Sequence, residues 1–307
     1  LSLIFEMVKA NYMNRFLIVA FLLVGCIRGY SQNDVYTQSI QDWHVKRAAY
    51  LKQPDSWLNL EGLFWLHKGV NSFGSDPSSH AYYNQPKFPA TLGYFRYEGD
   101  SVIWQNNKNN AIKINGNLYT GENPITVFNT AGNAASMDWS HYNWVVIKRE
   151  DKIGIRFRNY KAALLKTFKG LAYFKIQNKW RVKAKLEKPV QDFIMISNVL
   201  GQTTAQKTSG KLHFNIDGVE YTLDAINEGG NTLFVAFADA TNGKQTYGSG
   251  RFIDVEMPDA AGNTFIDFNK AYNPPCAFTA FATCPLPPAQ NRLAIAITAG
   301  EKKYGHH

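Results

Sequence analysis

Apolar positions recur with two different periods along this chain. Over residues 34–52, Val35, Ile40, Trp43, Arg47 and Leu51 fall roughly on one face of a 3.6-residue repeat and Pro54 stops the run, which predicts a helix. Beyond it the period drops to two. Leu58, Leu60 and Leu63-Phe64-Trp65-Leu66 predict a strand that ends at His67-Lys68-Gly69. Strands over residues 94–97 and 102–104 flank a turn at Glu98-Gly99-Asp100, and residues 144–147 and 153–157 flank another at 149–152. Two hairpins carry stronger signals, Asn115-Gly116 after residues 112–114 and Asp217-Gly218 between 212–216 and 219–223. Both dipeptides accept the positive φ angles of a two-residue turn. Residues 180–186, 233–237, 252–255, 265–268 and 293–297 complete the set of strands. Many short strands behind a single helix imply a mainly β fold, an antiparallel sandwich or a partly open barrel with one N-terminal helix. No repeat and no Ser/Pro/Gly linker divides the chain, and Pro189 is the only boundary signal, so residues 32–307 are expected to form a single β-rich domain.

The apolar run at the front reads differently. Met13 is followed by Asn14, Arg15 and an apolar stretch over residues 16–24, the order of a secretion signal, with residues 1–12 upstream of the start. Two exits fit it. Leu23-Val24-Gly25-Cys26 has the form of a lipobox in which Cys26 is acylated, and Gly29-Tyr30-Ser31 before Gln32 has that of an ordinary cleavage site. On either reading residues 1–31 are leader. The remainder is expected to be exported, periplasmic or envelope-associated, and to meet a membrane only through the signal or a lipid on Cys26.

Composition narrows the function classes. A chain of 307 residues, 45% hydrophobic and 19% charged, is ordinary for a folded protein and excludes a disordered or collagen-like one. Its net charge of +9 raises the question of nucleic acid. The basic residues are scattered singly, however. Arg156, Arg158, Lys183 and Lys185 alternate along strands and read as solvated faces, so no nucleic-acid partner is expected. There is no CxxC, HExxH, P-loop or GxGxxG leading into a helix, and the histidines show no ligand spacing, so neither metal nor cofactor is expected. Gly248-Ser249-Gly250 lacks the spacing of a nucleophile elbow.

Two segments invite chemistry. Five of the 12 prolines fall between positions 274 and 288, and proline fixes φ and withholds an N–H, so this loop is pre-shaped. On that stiff connection Asp267 and Glu301 are candidates for general acid and base, and Asn269 and Asn273 for groups that orient a ligand. The competing reading is that these side chains satisfy loop backbone as Asx turns. In the second segment, Gly248 and Gly250 permit close backbone approach beside Tyr247. Arg251 offers a planar fork to a carboxylate or phosphate, or else pairs with Asp239 or Asp267. Cys276 and Cys284, eight positions apart, are open to a disulfide, to two buried free thiols, or to a metal or nucleophilic role.

Several of these stretches together carry a resemblance. They are Trp57-Leu58-Asn59-Leu60-Glu61-Gly62-Leu63-Phe64-Trp65-Leu66 with Phe73-Gly74-Ser75-Asp76, Phe168-Lys169-Gly170-Leu171 with Trp180-Arg181-Val182, and Thr246-Tyr247-Gly248-Ser249-Gly250-Arg251-Phe252 with residues 267–302. In them the chain resembles domain-of-unknown-function family 1684 (DUF1684), uncharacterised bacterial proteins, over roughly residues 40–302. The resemblance implies that front and back halves form one unit. It implies no activity.

Two functional expectations stand side by side. In the first, the protein is a hydrolase-like enzyme acting on a small anionic or carbohydrate-like ligand. Asp267 or Glu301 is then the general acid/base, Arg251 the anion clamp, and Tyr247, Asn269 and Asn273 line the ligand. In the second it is a non-catalytic β module that binds a ligand or partner, with the same loops structural and Arg251 buried in an ion pair with Asp267. The two part on whether these groups converge on one hollow.

Overall fold

The computed structural model describes residues 32–107, 110–121 and 123–305. The leader expectations at Met13, Cys26 and residues 29–31 lie outside the described residues, as does the His306-His307 pair. The chain falls into two compact units that divide between Asp42 and Trp43, inside helix α1 (Gln32–Leu51). In the first, the described part is the front of α1, where Val35 is exposed rather than on a buried face. The second unit, from Trp43 onward, holds every described strand. No helix among the described residues is long and apolar enough to cross a membrane.

The front strands are β1 (Leu60–Trp65), β2 (Gly69–Gly74), β3 (Ala81–Tyr82), β4 (Gly93–Glu98), β5 (Ser101–Asn106), β6 (Ile112–Ile114), β7 (Asn117–Tyr119), β8 (Ile125–Asn129), β9 (Ser136–Trp139), β10 (Tyr142–Arg149) and β11 (Lys152–Asn159). Six pair in the order β1-β11-β10-β9-β6-β7 and five in the order β3-β2-β4-β5-β8. The two sheets enclose an aromatic core that includes Phe73, Phe95, Trp104, Trp144 and Phe157. The Asn115-Gly116 hairpin forms as expected, with φ of 52° and 81° at its two turn residues.

The back strands are β12 (Arg181–Glu187), β13 (Phe193–Ser197), β14 (Thr203–Ile216), β15 (Val219–Ile226), β16 (Thr232–Phe237), β17 (Arg251–Glu256) and β18 (Asn263–Asp267). They pair in the order β17-β16-β15-β14-β12-β18, with β13 added on β14. The end strands come back together: the Thr264 hydroxyl on β18 donates to the Glu256 carbonyl on β17 at 2.8 Å, so the sheet nearly closes into a barrel. Leu212, Leu223, Leu233, Val235, Ile253, Ile266 and Phe268 fill it. At the bulge on β14 the chain needs glycine. Gly210 sits at φ +133°, and a Cβ there would meet the Glu187 carbonyl oxygen at 2.1 Å.

One expectation is corrected. Residues 293–297 are not a strand. Arg292 makes a single parallel bridge with Ala238, and the backbone partners then change in kind, since Ala240 donates to the Ile295 carbonyl while the Ile297 N–H goes to the Asp239 carboxylate. No ladder can propagate through that. The front core draws on residues up to Phe157 and the barrel core begins at Trp180, while Pro189 leads from β12 toward β13.

Strand alternation sets up what lies between the cores. On β16 and β17, Leu233, Val235, Ile253 and Val255 point into the barrel, so Phe234, Phe252 and Asp254 point out of it. On β10 and β11, Trp144, Val146, Ile153, Ile155 and Phe157 point into the front core, so Arg149, Arg156 and Arg158 lie on the opposite face.

Candidate functional site

The side chains singled out in the sequence are fasteners of the C-terminal segment. Arg251 shares the parity of Ile253 and Val255 and is fully buried. Its Nη2 lies 2.7 Å from Asp239 Oδ2 and 3.0 Å from the Ile297 carbonyl, while Nη1 donates to the carbonyls of Ala299 and Glu301. Burial lowers the Arg251 pKa and the Asp239 carboxylate opposes this. Asp239, not Asp267, is therefore its ion-pair partner, and Arg251 is no clamp for an outside anion. Glu301 is equally buried. It accepts from Arg47 Nε at 3.0 Å and from the Asn273 N–H at 2.7 Å. Burial raises its pKa against the pull of Arg47.

The remaining predicted residues fit this pattern. Asn273 donates from Nδ2 to the Lys302 carbonyl at 2.8 Å. Asn269 grips both backbone groups of Gln177, accepting at 3.1 Å and donating at 2.9 Å. Asp267 caps the short 3₁₀ turn Phe268–Lys270 by accepting from the Asn269 N–H at 3.1 Å, the Asx reading. The Tyr247 hydroxyl donates to the Cys276 carbonyl at 3.2 Å. Cys276 and Cys284 are joined as a disulfide with Cα atoms 6.2 Å apart. None of Asp267, Glu301, Arg251, Tyr247, Asn269 and Asn273 lines the cavity that lies between the outward strand faces.

The hollow lies between the outward faces. A cavity of about 710 Å³ is lined by Phe234, Phe252 and Asp254 from the barrel, Arg149 and Arg156 from the front sheet, and Trp43, Lys46, Arg47 and Tyr50 from α1. Trp57, Glu228, Tyr272 and the disulfide loop (Pro275 and Ala282 to Pro285) close it. Lys183 and Lys185 are exposed as the alternation suggests, but Arg158 is buried and Arg156 half-buried. The outer face of the front sheet is covered, and the period-two pattern carries no sign of that.

The cations of this cavity are poorly matched. Arg156 stacks over Trp57 at 5.4 Å, but its guanidinium makes no hydrogen bond and no ion pair with any described residue, and its Nε is buried. Burial and the neighbouring Arg149 and Arg158 push its pKa down to about 10. Arg149 donates to Thr283 Oγ1 at 3.0 Å and Arg158 to the Asp55 carbonyl at 2.7 Å. Three guanidinium groups thus share one face, and their protein partners are a hydroxyl and carbonyls. Opposite them stand two carboxylates on the barrel side. Partial desolvation raises the pKa of both Asp254 and Glu228, the latter further through the neighbouring Asp254 carboxylate, although both side chains remain exposed. Arg47 lies between, its guanidinium 4.6 Å over the Tyr272 ring.

Comparison with known proteins adds a family and one relative. Residues 166–302 match the model of a family described as "Protein of unknown function (DUF1684)". The front motifs at Trp57 and Phe73 lie outside that segment. A solution NMR structure of the uncharacterized protein from gene locus rrnAC0354 of Haloarcula marismortui is 35% identical, with 45% of this chain and 78% of that one covered and a TM-score of 0.38. No curated protein matches. Of the cavity residues, Glu228, Asp254 and Tyr272 fall in the matched segment, while Arg47, Arg149 and Arg156 precede it.

Proposed function

The chain belongs to the DUF1684 family through residues 166–302, and we propose that this member is a non-catalytic binding module for a small organic anion with a ring-shaped body. One observation carries the reading: Arg156, a half-buried arginine whose Nε is buried and whose guanidinium has no hydrogen-bond partner among the described residues, faces the cavity beside a second arginine. Leaving a cation out of water without a counter-charge is costly, and a ligand carboxylate or phosphate relieves that cost through a bidentate, charge-assisted pair. Trp43, Trp57, Phe234 and Phe252 offer the body of such a ligand flat apolar faces. The volume is in the range of small-molecule sites. The hydrolase expectation built on Asp267 and Glu301 draws no support from their positions, since both carboxylates are bound to backbone and Glu301 also to Arg47. The signal-like run after Met13 supports export of the module, with binding outside the cytoplasm.

Isothermal titration with phenyl phosphate, benzoate and glucuronate tests it. The wild-type protein is expected to bind at least one of them in a salt-dependent way, and Arg156→Met to weaken that binding by about tenfold or more, ~1.4 kcal/mol. Equal affinity in the Arg156→Met protein, or no binding of any of the three anions, overturns the reading.

A further inference from the structure

We infer that the anion taken by this cavity is an acidic saccharide, a hydroxylated ring bearing a carboxylate or phosphate, and not an aromatic or alicyclic acid. The inference rests on the anion-binding reading and adds what the opposite wall requires. Ionised carboxylates are acceptors only. Asp254 and Glu228 both line the cavity, and neither is in an ion pair among the described residues. Arg47 acts on Asp254 only through its charge, since its guanidinium is held by Glu301 at 3.0 Å and by the Asn273 carbonyl at 3.0 Å. Lys46, which also lines the cavity, forms no ion pair with either carboxylate. Both carboxylates are exposed in the free protein, so their acceptor capacity is open to a ligand.

A ligand that fills the space between such walls must therefore satisfy opposite demands. Its acid group meets Arg156 and Arg149. Its far edge meets two acceptors and must supply donors, or those carboxylates are desolvated without compensation. A benzoate-like acid has no donor to give. A sugar acid has hydroxyls along the edge of the ring and an apolar C–H face, which suits Phe234 and Phe252 on the same barrel wall. The alternation along β17 produces this juxtaposition, because Phe252 and Asp254 are two residues apart and emerge on one face.

The test compares three ring compounds matched in size: glucuronate (acid and hydroxyls), cyclohexanecarboxylate (acid alone) and glucose (hydroxyls alone). Galacturonate and glucose 6-phosphate extend the first class. By calorimetry on the wild-type protein, at least one acidic sugar is expected to bind about tenfold or more tighter than both controls. Asp254→Ala and Glu228→Ala are expected to erase that advantage by weakening the acidic sugars, while cyclohexanecarboxylate, relieved of like-charge repulsion, binds no more weakly than to the wild type. Cyclohexanecarboxylate binding as tightly as every acidic sugar overturns the inference alone, provided Arg156→Met still weakens it. Acids that bind no better than glucose overturn the anion reading and the inference with it.

Discussion

Arg251 and Arg156 are both arginines on β strands, the first fully buried and the second half-buried, and their surroundings are opposite. Arg251 faces into the barrel, where one carboxylate and three backbone carbonyls receive its guanidinium. Arg156 faces away from its own core into a cavity, where an aromatic ring and two further arginines are its company. In the first arrangement both terminal nitrogens have protein partners and the charge has a counter-charge, with only Nε left without a partner. In the second, the charge is left for something that the described residues do not provide. Burial alone therefore does not separate an architectural arginine from a binding one; the inventory of partners does.

The largest expected effect lies on the paired side. Arg251→Met leaves Asp239 buried with a charge and no cation, and should lower the unfolding free energy by about 3–5 kcal/mol in urea titration. Replacing both members, as in Arg251→Met with Asp239→Leu, removes the uncompensated charge and should recover part of that loss. A single variant that unfolds like wild type would erase the contrast with Arg156.

The disulfide belongs to both regions, since its loop starts from the buried Asn273 and ends as cavity wall at Cys284. Closing a loop of eight residues restricts the unfolded chain, and loop-entropy arithmetic for that separation gives about 2–3 kcal/mol. Replacing Cys276 and Cys284 together with Ala should cost that much in the same titration, and titration of the wild-type protein under denaturing, non-reducing conditions should find neither thiol free. A variant as stable as wild type would show that the prolines alone shape the loop.

Much of this was legible in the chain, and what was not has a common cause. The hairpins at Asn115-Gly116 and Asp217-Gly218 depend on local φ preferences, so the dipeptide alone reveals them. Arg251 was half legible: its parity with Ile253 and Val255 points it into the barrel, whereas its partner Asp239 is twelve residues away across a long turn. Asn269 and Asn273 bond to Gln177 and Lys302, pairings that no local pattern encodes. The cavity was the least legible. Alternation places Arg156 and Arg158 opposite Ile155 and Phe157, but it cannot say that α1 and the barrel's outer face cover that side. Only the long-range packing turns an apparently solvated charge stripe into an enclosed one. The stretch over residues 293–297 failed for the inverse reason, because its apolar alternation serves the barrel core without a ladder.

The smallest expected effect is the sharpest discriminator. Arg156 makes no hydrogen bond to lose, so Arg156→Met removes a desolvated cation and its repulsion from Arg149 and Arg158, and sacrifices only the stacking over Trp57. The two contributions oppose one another, the stacking worth about 0.5–2 kcal/mol and the relief of the same order. The unfolding free energy should therefore stay within about 1 kcal/mol of wild type, and the gap should shift in favour of the variant at low salt, where the three like charges repel most strongly. Urea titrations at low and high ionic strength measure both quantities. A loss as large as that of Arg251→Met, unaltered by salt, would make Arg156 a second architectural arginine and dissolve the distinction between the two regions.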